Sequence, residues 1–507
     1  MFTDTPLSSW EVLSTSVLVC TGWTLAKGVY NLYFHPLAGF PGPRWAAFSP
    51  WWKTNLEAFQ GRNLTEELFK LHEIYGDVVR IGPNELHFSK PSVYHEIYSP
   101  KNRWSRDPSL YHVFASYENL LSKMEYAKAK QRKDVLQPLF SRKAILNLQH
   151  LVQECANEMC ANIEQHIKEG RSINFFKAYQ CFALDGITSF CFGTSMHATS
   201  EPGFDALILQ AMHASLSIMQ PLKHFILLKK AVRAIPENIA SVLDPTLKGL
   251  AKLLTMLRDQ VEEILAHPEV LESAPHPTIF HELVSGENGR QIPPKLELED
   301  EAFLMVFAGT DTSSSTLAVA TVYILQNPQV HARLKEELLK VWPNLQDIPR
   351  YEDLESLPYL KAVLKESLRL IHGVFSPMTR IVPKGGAEID GRYVPGGAIV
   401  GISNMFVHLN PEIFPDPYTF KPERWLETKT DGNDSLDHWL VAFSKGPRSC
   451  LGINLGWCEI TLAVANVFRR FDLELDGVTP SDLTWKECYI PHYNGPDLKL
   501  IARPRTA

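Results

Sequence analysis

Apolar residues recur every three to four positions along much of this chain. In "GRNLTEELFKLHEIYG" (61–76), "SRKAILNLQHLVQECANEMCANIEQHIKEG" (141–170) and "HARLKEELLKVW" (331–342) that period predicts amphipathic helices. Strand-like pieces with Gly and Pro punctuation, "DVVRIGPNELHFS" (77–89) and "AEIDGRYVPGGAIVGIS" (387–403), predict small sheets. A third pattern, "ELEDEAFLMVFAGTDTSSSTLAVATVYILQNP" (297–328), is apolar nearly all round, which predicts a helix through the interior. Glu299, Asp300 and Glu301 suit its start, and Pro328 follows its end. Ala308, Gly309, Thr310, Asp311, Thr312 and three serines interrupt its middle. Gly costs about 1 kcal/mol in a helix, and mid-helix hydroxyls compete for backbone carbonyls. Either small residues allow close helix packing there, or a groove admits a small ligand, with Asp311 and Thr312 placed to handle protons.

The first 35 residues follow a different pattern. "LSSWEVLSTSVLVCTGWTLA" (7–26) is about 20 residues, roughly 30 Å as a helix and enough to span a bilayer. The start is not basic, as a secretory leader would be, and Lys27, Arg44 and Lys53 follow the apolar run. The positive-inside rule then leaves the main body in the cytosol. Pro36, Pro41 and Pro43 cannot continue a helix, so 34–48 reads as an extended, semi-rigid lead into the body. We assign residues 1–34 to an uncleaved membrane anchor with its flank, and 35–507 to one globular domain.

Length alone, 507 residues, suggests about three domains, yet no linker, repeat or charge block divides the body. Hydrophobic residues at 45% and charged ones at 21% are ordinary for a globular protein. A net charge of -7 shows no nucleic-acid footprint. Eight cysteines without a Cys-x-x-Cys pair argue against zinc and against a disulfide framework.

Two stretches carry further chemistry. "LPYLKAVLKESLRL" (357–370) places Glu366 and Arg369 at i,i+3 on one helix face, and its apolar flanks suggest burial, where an ion pair needs further hydrogen bonds. Arg424 in "FKPERWL" is the candidate third member. "AFSKGPRSCLG" (442–452) surrounds Cys450 with glycines, cations and Phe443. A thiolate ligand needs a lowered pKa, helped by backbone N–H groups, a following helix N-terminus and nearby cations. Gly446 and Gly452 let the backbone turn close to a flat cofactor, Arg448 can pair with a carboxylate at its edge, and Phe443 can pack beside the sulfur. Haem iron is the known partner of such a thiolate.

These residues carry a resemblance. "FSKGPRSCLG" matches the Phe-x-x-Gly-x-Arg-x-Cys-x-Gly signature of the cytochrome P450 family, and "AGTDTS", Glu366/Arg369 and "PERW" match its other hallmarks in order. "YFHPLAGFPGPRWAA" (33–47) resembles the lead-in of membrane-bound fungal members. The resemblance implies a mainly α fold with a long central helix over a b-type haem and small β-sheets. Cys450 would be the proximal iron ligand, with Asp311 and Thr312 in proton delivery during oxygen activation. Glu366, Arg369 and Arg424 would form a structural network, while Arg448 and Arg380 ("SPMTRIV") would hold haem propionates. One departure matters: where the family carries a Trp or His and then an Arg four residues on, this chain has Ala129 and Lys133. Lys133 keeps the charge without the bidentate fork, and adjacent Arg132 would point elsewhere.

The implied activity is monooxygenation of a lipophilic small molecule, in fungal secondary metabolism on a terpenoid or alkaloid, at the endoplasmic reticulum membrane facing the cytosol. Electrons would come from NADPH through a cytochrome reductase, or from a cytochrome b-type donor. Expected substrate walls are 104–121, 212–228, 374–378 and the turn near Ile490, with a membrane-touching rim at 222–235 carrying Lys229, Lys230 and Arg233. A detoxifying or catabolic hydroxylase, a same-fold isomerase or dehydratase, and a non-turnover haem sensor are the alternatives. Asp311 and Thr312 together argue against the isomerase, which needs no proton relay.

Overall fold

The computed structural model describes residues 9–111, 118–213, 223–225, 227–228, 231, 235–243, 245–272, 274–286, 291–426 and 435–505. The amphipathic segments form helices Leu64–Tyr75, Arg142–Lys168 and Pro328–Val341. The apolar segment becomes one helix, Lys295–Gln326, buried over most of its circumference. It begins after Pro294, so Glu299–Glu301 lie one turn inside it and not at its first residues.

This central helix packs against helix Phe175–Phe192 at Gly309, where an added Cβ would stand 2.7 Å from Ile187 Cγ1. Its hydroxyls turn back on the helix: those of Thr310, Thr312, Ser314 and Thr316 donate to the carbonyls of Val306, Ala308, Thr310 and Thr312. The central and flanking helices share one large apolar core.

A second core lies under a five-stranded sheet. Val78–Gly82 pairs with Glu85–Phe88, which runs parallel to Ile399–Gly401; Arg380–Ile381 and Ser105–Arg106 complete it. The register sets Arg106 directly opposite Arg380.

The N-terminal helix runs Ser9–Tyr33, about 37 Å, and extends seven residues beyond the span read from the sequence. Residues Val12–Tyr33 have mean hydropathy 1.3 and are almost entirely exposed. Its base is docked, however. A Cβ on Gly28 would overlap the Phe48 ring, Asn31 Nδ2 donates to Phe48 C=O (3.1 Å), and buried Arg80 donates to Asn31 C=O (2.9 Å). The proline stretch is laid against the same strand, with Arg80 N–H donating to Pro41 C=O (2.7 Å).

Candidate active site

Cys450 ends a loop that leads straight into helix Ile453–Arg470. Its N–H donates to Phe443 C=O (2.9 Å), which closes the loop, and Phe443 and Cys450 both line one cavity. Six of the eight cysteines are buried, Cys20 lies on the N-terminal helix, and Cys450 alone in the body presents open surface. That surface belongs to a cavity of about 630 Å³. Burial pushes the Cys450 thiol up, and the Gly452 N–H and the Lys133 ammonium oppose it without reversing it. The Gly452 N–H and Lys133 thus act in the expected direction, and a metal cation held by the sulfur would favour the thiolate further.

Three buried guanidinium groups gather at the cavity's edge. Arg448 and Arg106 line it, and Arg380 stands behind them, donating to the Tyr111 hydroxyl (2.6 Å) and to the carbonyls of Met378 and Thr379. No ion pair joins any of the three to a carboxylate among the described residues. Burial first, then the cations of Arg106 and Arg380, push Arg448 down to about 8. A guanidinium keeps its proton in proteins, so the cluster calls for negative charge instead. Arg448 Nη1 and Arg106 Nε are buried without a hydrogen-bond partner among the described residues. Lys133 adds a fourth cation, lining the cavity and donating to Pro447 C=O (3.0 Å). An iron-seeking sulfur and unpaired donors for carboxylates fit a haem. Cys450 would take the metal, and Arg448, Arg106 and Lys133 the propionates.

On the central helix, Ala308 and Thr312 present exposed surface to the cavity, and Gly309 serves both accounts of the broken pattern, packing on Ile187 and lining the same cavity. Asp311 also lines the cavity, and burial raises its pKa. Its Oδ1 accepts from Gln180 (3.1 Å), Gln180 Oε1 accepts from His213 Nε2 (3.0 Å), and its Oδ2 has no partner among the described residues. The other side of the cavity is apolar, with Leu120, Leu121, Val374, Met378 and Ile490 in the wall, from three of the four expected segments. Of 212–228, residues 214–222 and 226 lie outside the described residues, as do Lys229, Lys230 and Arg233.

The Glu366–Arg369 pair is fully buried and away from the cavity. Glu366 accepts two bonds from Arg369 (2.7 and 2.9 Å), and one each from Arg424 Nε (3.1 Å), Trp425 Nε1 (2.9 Å) and Lys421 N–H (3.0 Å). Arg369 and Arg424 spend their remaining donors on backbone carbonyls of 408–419. This satisfies the condition for a buried ion pair.

Two expected cofactor contacts stand elsewhere. Gly446 has φ +71 and abuts the carbonyl oxygens of Tyr98 and Ser99, at 2.4 and 3.0 Å from an added Cβ. It is needed for the turn and for that approach, and it is not part of the cavity wall. Arg380 is one layer back, as described. Arg106, Glu459 and Trp425 were not singled out from the sequence. Glu459 was within reach: Gly452, Leu455, Gly456 and Glu459 follow the i, i+3, i+4, i+7 rule from the cysteine loop, and all line the cavity. Its Oε2 accepts from Ser313 Oγ (2.5 Å), and burial pushes it up to about 8.

The family model for cytochrome P450 matches residues 43–491. The chain is 34% identical to the cytochrome P450 monooxygenase macH of Penicillium terrestre, over 98% of each chain. It is 33% identical to the cytochrome P450 monooxygenase flvC of Aspergillus flavus, over 96% of this chain and 95% of that one. With the cytochrome P450 monooxygenase TRI4 of Trichoderma arundinaceum it shares 30% identity over 92% of this chain and 90% of that one.

Proposed function

The chain belongs to the cytochrome P450 family and is a haem-dependent monooxygenase, and from that premise we propose that Cys450 ligates the iron and that the substrate is a lipophilic metabolite of fungal secondary metabolism, a terpenoid or alkaloid. The observation that carries this reading is one cavity lined by Cys450, by Arg448 and Arg106, each with an N–H that has no partner among the described residues, and by the Ala308–Thr312 opening of the central helix. A haem held there by Cys450 would supply oxygen activation.

The chain's own residues do the rest. Arg448, Arg106 and Lys133 hold the cofactor's carboxylates, with Arg380 orienting the cluster through Tyr111. Thr312 donates its proton to the Ala308 carbonyl, leaving its oxygen free to accept from a cavity water. Asp311, aimed by Gln180, passes protons inward through its unbonded oxygen. The apolar wall excludes bulk water and binds the substrate by area, which costs no hydrogen-bond pairing.

A reductase drawing on NADPH would supply the electrons from the Cys450 side. The exposed helix Val12–Tyr33 supports an anchor in the endoplasmic reticulum membrane. Trp45, Trp51, Phe59 and Leu227 are all more than half exposed, and Trp51 and Phe59 pack on Phe225, which suits entry of substrate from lipid. The test is turnover with a reductase against a library of lipophilic metabolites, following NADPH use and incorporation of one labelled oxygen atom. Cys450→Ala should abolish both, together with the absorption band of the reduced carbon-monoxide complex. A band retained in that variant would assign the ligand to another residue.

A further inference from the structure

Residues 118–124 form a strap held from two sides. On one side its N–H groups meet the central helix: Glu118 N–H donates to Asp300 Oδ2 (3.1 Å), and Leu120 N–H lies 3.3 and 3.2 Å from the two Glu301 oxygens. On the other, its carbonyls meet the cofactor arginines. Leu121 C=O accepts from Arg106 Nη1 (2.9 Å), and those of Leu120 and Lys123 accept from Arg448 Nη2 (3.2 and 2.9 Å). Met124 C=O takes the Arg106 backbone N–H (3.0 Å). Between these holds, Leu120 and Leu121 form part of the substrate wall.

Glu301 is fully buried where the strap crosses the helix. Among the described residues, the groups that face it are Arg132 of helix Tyr126–Leu136 (3.3 Å), Lys123 and the Leu120 N–H of the strap, Asp300 on its own helix, and the Cys191 thiol of helix Phe175–Phe192. Both cations have a second anion, since Glu297 takes Arg132 Nη2 (2.7 Å) and Lys123 Nζ (3.1 Å). A neutral Glu301 therefore leaves neither cation unpaired, and its carbonyl oxygen still accepts from Leu120.

We propose that Glu301 is a positioning residue and a proton-controlled latch: through the Leu120 amide it holds the strap that walls the substrate space and aims Arg106 and Arg448. Burial raises Glu301 from 4.5 to about 7 against the pull of Arg132, the Leu120 N–H and Lys123, so the cost of enclosing the charge outweighs the stronger bond an ionised carboxylate accepts. The sign follows from linkage. Opening the strap returns Glu301 to water and its ordinary value, so the closed strap binds the proton more tightly than the open one. The hold is full at low pH and weakens as pH rises through about 7.

Hydrogen–deuterium exchange of the holoenzyme, corrected for intrinsic rates, tests this on peptides covering 118–124. Protection should fall several-fold between about pH 6 and about pH 8. Glu301→Gln, which is neutral and nearly isosteric, should keep the low-pH protection at both values. Protection that does not change with pH in the unaltered enzyme overturns the proposal without recourse to any variant. A Glu301→Gln enzyme that keeps the parent's pH dependence overturns it too. Haem transfer to an excess of apo-acceptor should quicken over the same pH interval in the parent alone. That arm rests on Arg106 and Arg448 holding the cofactor's carboxylates. Exchange that responds to pH while haem transfer does not leaves the latch standing and sinks that assignment.

Discussion

Arg106 and Arg380 face each other across an antiparallel strand pair, both buried, and neither is ion-paired to a carboxylate among the described residues. Like charges directly opposite are destabilising in a sheet, and removal from water makes them more so. The pair is tolerable when anions complete it, which is what haem propionates would do at the edge where Arg448 joins them.

Arg106 should therefore matter to cofactor retention although no sequence motif marks it. Hydrogen bonds to charged groups contribute about 1.5–3 kcal/mol, so Arg106→Ala should speed haem loss about 10- to 100-fold. Arg103→Ala, on the exposed surface three residues away, should leave the rate unchanged. Haem transfer to an apo-acceptor reads both.

Lys133 offers one point charge where the family pattern calls for a planar fork. Lys133→Arg should slow haem transfer and Lys133→Ala should speed it, because bidentate charge-assisted pairs are the stronger type. Equal rates in all three proteins would remove Lys133 from the cofactor's neighbourhood.

Thr312→Ala should still consume NADPH but release hydrogen peroxide in place of product. Acid–base assistance is typically worth about 10²–10⁴-fold, and a water ordered by the Thr312 hydroxyl would be its route. Product formed per NADPH is the measurement; an unchanged ratio rules out the relay.

Truncation should separate anchoring from folding. Removing residues 1–26 should weaken pelleting with membranes and leave thermal stability intact. Removing 1–34 should also destabilise the body, because Arg80 then loses the Asn31 carbonyl and keeps only that of Pro83 for its Nη2. The loss is about 1.5–3 kcal/mol, visible as a lower Tm.

Glu459 makes a prediction about pH. Its folded value, about 8, lies above the ordinary 4.5, so the folded state favours the proton and loses stability as pH rises from one value toward the other. Glu459→Gln keeps an acceptor for Ser313 and removes the titration. At neutral pH the variant should be more stable than the parent by up to about 3 kcal/mol, and the gap should close toward pH 4.5. Denaturant unfolding across that range measures it. A constant difference would mean that Glu459 does not titrate in the folded protein.

What the sequence determined by itself is what one loop or one helix contains. Cys450 with Phe443, Arg448 and Gly452 lies within eleven residues (442–452), Glu366 and Arg369 share a helix face, and Thr312 sits one turn from Ala308, so spacing alone sets which side chains meet. Tertiary structure decided everything that depends on distant segments meeting. Arg106 reaches the cavity because its strand pairs with Arg380, 274 positions away. Arg380 is held back by Tyr111, Gly446 turns against Tyr98, and Glu301 faces the Leu120 amide across 181 positions. Helical period specifies a face and not what covers it. The covering depends on which long loops close as the core forms, and that is a property of the whole chain.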